Sequence, residues 1–433
     1  LDQRAANWTV NRALLSVARA HETPEDRLFL LHEPGHARGV IGWGPGRVVW
    51  IDTEHCCVEE AGARQTQPAG ADPFFQAASA LDSHRPLFFM ASLDRFRQRP
   101  APGLPLFYFY QPDHWIEFRH EASGLSVHGP DAAEVKRLRL EREPAPASFP
   151  LDGASLSRWD NEGDAAFLAR LEHAVGTLRG RYGKMILMRP FSRAVRPDAD
   201  TLRLFDLYSG LEPGCAASHF ARLAPDLCSM GCSPENVFEL DGDQLTYDVV
   251  AGTRGVSADA AEDARWAAEL LADEKERQEH EMALARYEVR MQELCAPGCV
   301  RRDLHRSVRQ LACVRHLHSR LTGRLRQPRT WWMLCADHYP PLCSYPDELI
   351  PLADPHPEPT RFYGGLVGYA PAGHRSMASY LNLRSLLIHG DRMYTEGGVG
   401  VIGASIPRQE LLEVHNKLRA LASAVHQWQP EGV

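Results

Sequence analysis

The stretch TEGGVGVIGASIPRQELLEVHNKL, Thr395 to Leu418, runs from a glycine-rich turn straight into a helix. Ser405 is placed to cap that helix, and Pro407, near its first turn, loses no hydrogen bond by lacking an N–H. Glu410, Glu413 and Lys417 follow at spacings of three and four, which puts them along one helix face. Two carboxylates and an ammonium beside a loop without bulk suit an anionic ligand together with a hard cation. A surface helix with ordinary Glu–Lys pairing is the plain alternative. The letters Gly398-Val399-Gly400-Val401-Ile402-Gly403 also match GxGxxG, but that fingerprint needs a βαβ unit and an acidic residue about 20 positions on. The roughly 30 residues that follow offer no second strand, so a dinucleotide site is not expected.

At 433 residues the chain has room for a large core, and a prior of about 150 residues per domain allows two or three. Its 48 Lys and Arg against 56 Asp and Glu give a net charge of −8. No basic stripe interleaved with aromatics speaks for DNA or RNA, so no nucleic-acid partner is expected. No apolar run of about 18 residues marks a membrane span, and LDQRAANWTVNRALL lacks the apolar core of a signal peptide. The expectation is a cytoplasmic protein. Ten cysteines include the CxxxC pairs Cys228/Cys232 and Cys295/Cys299. No histidine completes a zinc spacing, so free thiols are expected.

Residues 1–150 read as short strands and turns with a few helices, with apolar runs at Leu28–Leu31, Val48–Ile51, Leu87–Met90 and Leu106–Tyr110. His32-Glu33-Pro34-Gly35-His36 matches HExxH letter for letter. That zinc motif needs an unbroken helix to align its imidazoles, and Pro-Gly in the middle makes this one a turn. Glu141–Ser157, rich in Pro, Ala and Ser, is the boundary candidate. Asp160–Tyr182 has helical period and leads into a strand-like run headed by Lys184. A lysine there is ordinarily solvated, but beside a low-dielectric cleft it can lose its proton and act as a base. Val237–Leu240 and Leu245–Val250 read as strands, with Ser233-Pro234-Glu235 before them. After them, Gly252-Thr253 forms either a turn or a backbone approach to a ligand.

Ala258–Leu294, free of internal Gly and Pro, reads as one long helix. Glu276 and Glu279 lie three apart on it with His280 beside them, duplicating the ExxE of Glu410 and Glu413. One pair alone reads as a solvated face. Two pairs brought together would repel unless a divalent cation sat between them, and an all-oxygen donor set suits Mg²⁺. Val314–Leu321 reads as a strand with His316 and His318 on one face. Tyr363 and Arg384, the latter on a strand Tyr380–Ile388, are natural partners for a carboxylate.

The order of these pieces resembles the chorismate-utilising enzymes: isochorismate, salicylate, anthranilate and aminodeoxychorismate synthases. The matching pieces are YGKMILMR, SPE, AGTRG, EKERQEHEMAL, VRHLHSRLTG, RFYGGLVGY, LNLRS, and GGVGVIGAS followed by ExxExxxK, spread from Arg181 to Leu418. The resemblance implies an α/β fold, with antiparallel sheets packed as a sandwich and helices outside. Residues 1–150 would supply part of that sandwich, and 158–425 the chorismate-binding catalytic region. It implies Mg²⁺ held by Glu276, Glu279, Glu410 and Glu413. Tyr363, Arg384 and Lys417, with the backbone of Gly397, Gly398 and Gly400, would receive the substrate carboxylates. Gly252, Thr253 and His316 would line the ring and the leaving hydroxyl. Glu235 matches the general acid that protonates the departing C4 hydroxyl.

Lys184 selects among the branches. Members that use water have a lysine here as general base for attack at C2, whereas ammonia-using anthranilate synthases have glutamine and depend on a glutaminase. Aminodeoxychorismate synthases have a nucleophilic lysine where this chain has Ala251. Water as nucleophile and no glutaminase subunit are therefore expected. EKERQEHEMAL looks more like isochorismate synthases, and HLHSRLTG closer to salicylate and anthranilate synthases. Isochorismate synthase is the preferred reading, with salicylate synthase, or a member that binds chorismate without turnover, as alternatives. The family's S-G-x-P turn has its nearest equivalent in Cys343-Ser344-Tyr345-Pro346, where the glycine is lost.

Overall fold

The computed structural model describes residues 3–23, 26–92, 104–135, 156, 158–196, 198–327, 334–335, 344–349 and 361–429. The short apolar runs of the N-terminal third become strands, as their bounded, β-branched and aromatic composition dictates. They do not form a sheet of their own. One antiparallel sheet of nine strands runs β10 (Met185–Ala194), β20 (Arg392–Val401), β19 (Ser385–His389), β12 (Leu227–Ser233), β11 (Ala217–Ala224), β1 (Leu28–Glu33), β2 (Arg38–Trp43), β8 (His114–Glu121), β9 (Gly124–His128). A second, of eleven strands, begins β15 (Arg301–Gln310), β16 (Val314–Arg324), β14 (Gln244–Gly255), β13 (Asn236–Asp241), β18 (Ser376–Leu381), β17 (Leu366–Ala370). It continues β6 (Leu87–Ala91), β7 (Phe107–Gln111), β3 (Arg47–Ile51), β4 (His55–Glu60), β5 (Ala63–Pro68).

The cores follow from strand alternation. Phe29, Leu31 and Leu387 of the nine-stranded sheet meet Phe88, Tyr369 and Tyr380 of the other, closing a sandwich between the sheets. The outer face of the nine-stranded sheet is covered by the helices Gln3–Ala20, Asp164–Leu178, Thr201–Leu211 and Pro407–Trp428. Tyr287, Met291 and Leu294 of the helix Glu274–Leu294 pack on the outer face of the eleven-stranded sheet. The expected antiparallel sandwich flanked by helices is the observed fold. The two ends of the larger sheet differ from its interior. All six residues of β5, ARQTQP, are exposed, and β15 is mostly exposed, rich in arginine and irregular in register.

Several expectations need correction. The segment 258–294 is two helices, Ala260–Ala272 and Glu274–Leu294, separated at Asp273. Asp273 has extended backbone, and its carboxylate accepts from the Glu276 N–H, which caps the start of the second helix. Ser405 does not cap the last helix: its hydroxyl accepts from Ile402 N–H, and Ile406 stands at the cap with no side-chain bond. Pro407 does occupy the first turn. The glycines at 397, 398 and 400 lie on the paired strand β20 and not in a turn. Arg384 is in no strand but at the bend where the chain leaves β18 for β19, with φ +52°. His32-Glu33-Pro34-Gly35-His36 ends β1 in a single 3-10 turn, as read. The boundary segment 141–157 lies, apart from Leu156, outside the described residues. No helix among the described residues is long and apolar enough to cross a membrane.

Candidate active site

Among the described residues the chain crosses from one sheet to the other four times, and two of those crossings carry a residue of the site. Ser233-Pro234-Glu235 joins β12 to β13, and Asn382–Arg384 joins β18 to β19. Ser233 Oγ donates to Leu381 O at 2.6 Å, tying the crossings together. The Arg384 carbonyl accepts from Tyr208 Oη at 2.8 Å, which anchors its left-handed backbone. Lys184 stands where β10 begins, bridged to Tyr345 by two backbone hydrogen bonds, while Ser344 Oγ accepts from Ile186 N–H at 3.0 Å. The described part of the Cys343–Pro346 segment thus braces the strand that presents Lys184.

One pocket collects Lys184, Glu235, Gly252, Thr253, Glu279, His316, Tyr363, Arg384, Gly397, Gly398, Gly400 and Lys417. The glycines explain how so many side chains reach it. A Cβ on Gly400 would stand 2.2 Å from Glu279 Oε1 and 2.5 Å from Lys184 Cε, so a bare strand position lets that ion pair form. Gly397 points the opposite way, where a Cβ would meet Val414 at 2.7 Å; its small size serves the packing of the last helix. Gly252, at φ +81°, is the extra residue of a bulge in β14 opposite β16. The bulge turns the Thr253 N–H onto Glu276 Oε2 at 2.7 Å.

His316 is held from both sides. Arg384 Nη2 donates to Nε2 at 2.5 Å, and Nδ1 lies 3.1 Å from the Thr253 hydroxyl. Burial and the Arg384 charge keep the imidazole well below its ordinary pKa, so it is neutral and donates through Nδ1–H. Arg384 Nη1 is buried without a partner, an open donor where an anionic oxygen would be satisfied. His318 does not line this pocket and sits 3.1 Å from Asp248. His280 is likewise spent, between Ala251 O and Ser319 Oγ.

Glu235 accepts from the Val250 N–H at 3.1 Å, yet full burial pushes its carboxyl up to about 8. It is therefore protonated at neutral pH. The turn that carries it is pinned by Arg309, whose Nη1 donates to Pro234 O at 2.6 Å and whose Nη2 reaches Asp248 at 3.2 Å. Neither Arg309 nor Asp248 was singled out from sequence; their signal was a charged residue inside strand periodicity.

Three of the four glutamates converge on the ammonium of Lys275, while Glu413 pairs with a different lysine. Lys275 Nζ lies 3.2 Å from Glu276, 3.0 Å from Glu279 and 2.9 Å from Glu410. Glu413 pairs with Lys417 at 2.6 Å, and Lys417 also donates to Gly398 O at 2.9 Å. Burial pushes Glu276 and Glu410 up to about 7 despite Lys275. Glu279, buried as well, is drawn well below the usual carboxylate range by Lys275 and Lys184. Among the described residues no three His, Cys, Asp or Glu side chains are arranged as a ready metal-ligand set. The donor chemistry nonetheless fits a hard divalent cation: the cluster is all oxygen, and Glu410 Oε2 is buried without a partner.

A family model for chorismate binding enzymes matches residues 26–423. The chain belongs to the chorismate-binding enzymes. Anthranilate synthase component 1 of Streptomyces coelicolor is 30% identical over 358 residues, covering 75% of this chain and 68% of that protein. Among solved structures, the Bacillus anthracis protein DhbC, assigned as a 2,3-dihydroxybenzoate-specific isochorismate synthase, superposes with a TM-score of 0.68 at 17% identity over 95% of this chain and 99% of its own. Anthranilate synthase component I from Streptococcus pneumoniae gives 0.66 at 20% identity over 89% and 92%. At these identities the superpositions establish the fold alone. This chorismate-binding enzyme is thus similar in sequence to anthranilate synthases and similar in shape to both branches, so the reaction has to be argued from the pocket.

Proposed function

We propose that the chain is a Mg²⁺-dependent isochorismate synthase, adding water at C2 of chorismate with loss of the C4 hydroxyl. The observation that carries this reading is the pairing, in one pocket, of Lys184 with a Glu235 carboxyl that keeps its proton at neutral pH. Lys184 takes a proton from the water that attacks C2 as the ring double bond shifts. Glu235 gives its proton to the C4 oxygen as that bond breaks, so the leaving group departs as water. The two groups need opposite protonation states. Arg384, with its open Nη1, and Lys417 would receive substrate carboxylates; Thr253 and His316 orient the ring edge. Glu276, Glu279, Glu410 and Glu413 would hold Mg²⁺, whose contribution when bound is to neutralise a substrate carboxylate.

The identity to an anthranilate synthase component 1 supports a second reading, in which ammonia from a partner replaces water. Salicylate synthase is a third, since the same addition can be followed by pyruvate elimination in the same pocket. Purified protein given chorismate and Mg²⁺ without ammonium, with products separated by chromatography, distinguishes them. Isochorismate alone is expected; salicylate with pyruvate would extend the reaction by an elimination. Product only after ammonium is added would overturn the role of Lys184. Lys184→Ala and Glu235→Gln are each expected to lower turnover roughly 10²- to 10⁴-fold.

A further inference from the structure

The glutamates converge on a group that no step of the proposed reaction uses. Lys275 reaches back from the first turn of its helix, and its Nζ contacts one oxygen each of Glu276, Glu279 and Glu410 at 2.9–3.2 Å. These three carboxylates come from two separate helices and are 6%, 6% and 2% exposed. Three carboxylate oxygens around one point form the shell of a cation, and here the cation is an ammonium. Without it, buried carboxylates at this separation would repel strongly in a medium of low dielectric. The shell is still incomplete, because Glu410 Oε2 is buried and has no partner.

The ammonium and a metal ion exclude one another. Mg²⁺ binds oxygen at about 2.0–2.1 Å, so the carboxylates would have to close in by about 1 Å on the point that Nζ holds. The lysine has somewhere to go: its side chain is 17% exposed, and its flexible stem lets the charged end turn outward to water.

We propose that Lys275 is the resident counter-ion of the carboxylate cluster, and that a divalent cation enters only by displacing it from the same oxygens. This rests on the reading that the cluster takes a divalent cation. Lys275 therefore weakens metal binding to the free protein while keeping the metal-free cluster neutralised, and metal entry turns Lys275 out of the cluster.

Mn²⁺ binding, followed by the electron paramagnetic resonance of the free ion and with no substrate present, tests this on wild type, Lys275→Met and Lys275→Arg. The Met variant is expected to bind Mn²⁺ at least tenfold more tightly than wild type, and the Arg variant no more tightly. Equal or weaker binding by the Met variant overturns the inference. A second measurement needs no variant: reductive methylation of wild type, read at Lys275 by mass spectrometry with and without saturating Mg²⁺. Labelling that rises several-fold with Mg²⁺ is expected, and unchanged labelling overturns the displacement. If wild type and the Met variant bind Mn²⁺ equally, only the role of Lys275 falls. If neither binds it, even with chorismate added, the metal reading falls with it.

Discussion

Glu235 sets the pH behaviour that the proposed chemistry would show. Burial raises its carboxyl from an ordinary 4.5 to about 8, so the folded protein holds a proton there that the unfolded chain releases near 4.5. Turnover is expected to fall as pH rises through about 8, because the acid is then spent before the reaction begins. Stability moves the same way: the folded state is the more protonated one between 4.5 and 8, so this group's contribution declines across that window. In Glu235→Gln, thermal melting followed against pH is expected to lose that decline. A melting profile identical to wild type would mean that Glu235 titrates elsewhere. The residue was legible in sequence only through its SPE setting; its elevated carboxyl comes from closure by β13, β14 and the crossing from β18 to β19, which no local pattern announces. Lys275 was hidden for the opposite reason. It is an ordinary lysine one position before Glu276 in a charged helix, and only the arrival of Glu410 from the last helix gives it a role.

Strand β20 separates two kinds of damage along three neighbouring glycines. An alanine at 400 places a methyl group against Glu279 and Lys184, and one at 397 places it against Val414 and Leu418. Gly400→Ala is expected to lower turnover at least tenfold with melting nearly unchanged, since the crowded groups are charged side chains at a pocket wall. Gly397→Ala is expected to destabilise by about 1–3 kcal/mol through overpacking while leaving the chromatographic product the same. Interchanged outcomes would contradict the orientation of β20. The sequence showed small residues and a helix after them, but a turn and a glycine strand share their letters; pairing with β10 decides between them. Similarly, Asp273 followed by Glu276 carried a helix-start signature inside what read as one helix.

The larger pattern is the interleaving of early and late strands. β1 pairs with β11 in one sheet, and β6 pairs with β17 in the other, so the first third of the chain is stitched into both. A fragment beginning at residue 158 would bare the edges of β11 and β17 and open the core between the sheets. Such a fragment is expected to show no cooperative melting by circular dichroism, and the whole chain a single transition; a soluble, cooperatively melting fragment would contradict this. The sandwich class was legible through the resemblance. The partner of each strand was not, since alternation fixes which face is buried and says nothing about neighbours nearly two hundred residues away.

A sheet that wide has two open rims, each offering unmatched amide and carbonyl groups to any extended chain that drifts by. β5 closes one rim with alanine, arginine, glutamine and threonine and a terminal proline, which has no N–H to offer. β15 closes the other with charged residues and with Arg306 at φ +53°, which breaks the ladder's regularity. Both rims are therefore poor templates: growth of the sheet by accretion of further strands would meet proline and poor hydrophobicity on one side, and charged side chains with broken register on the other.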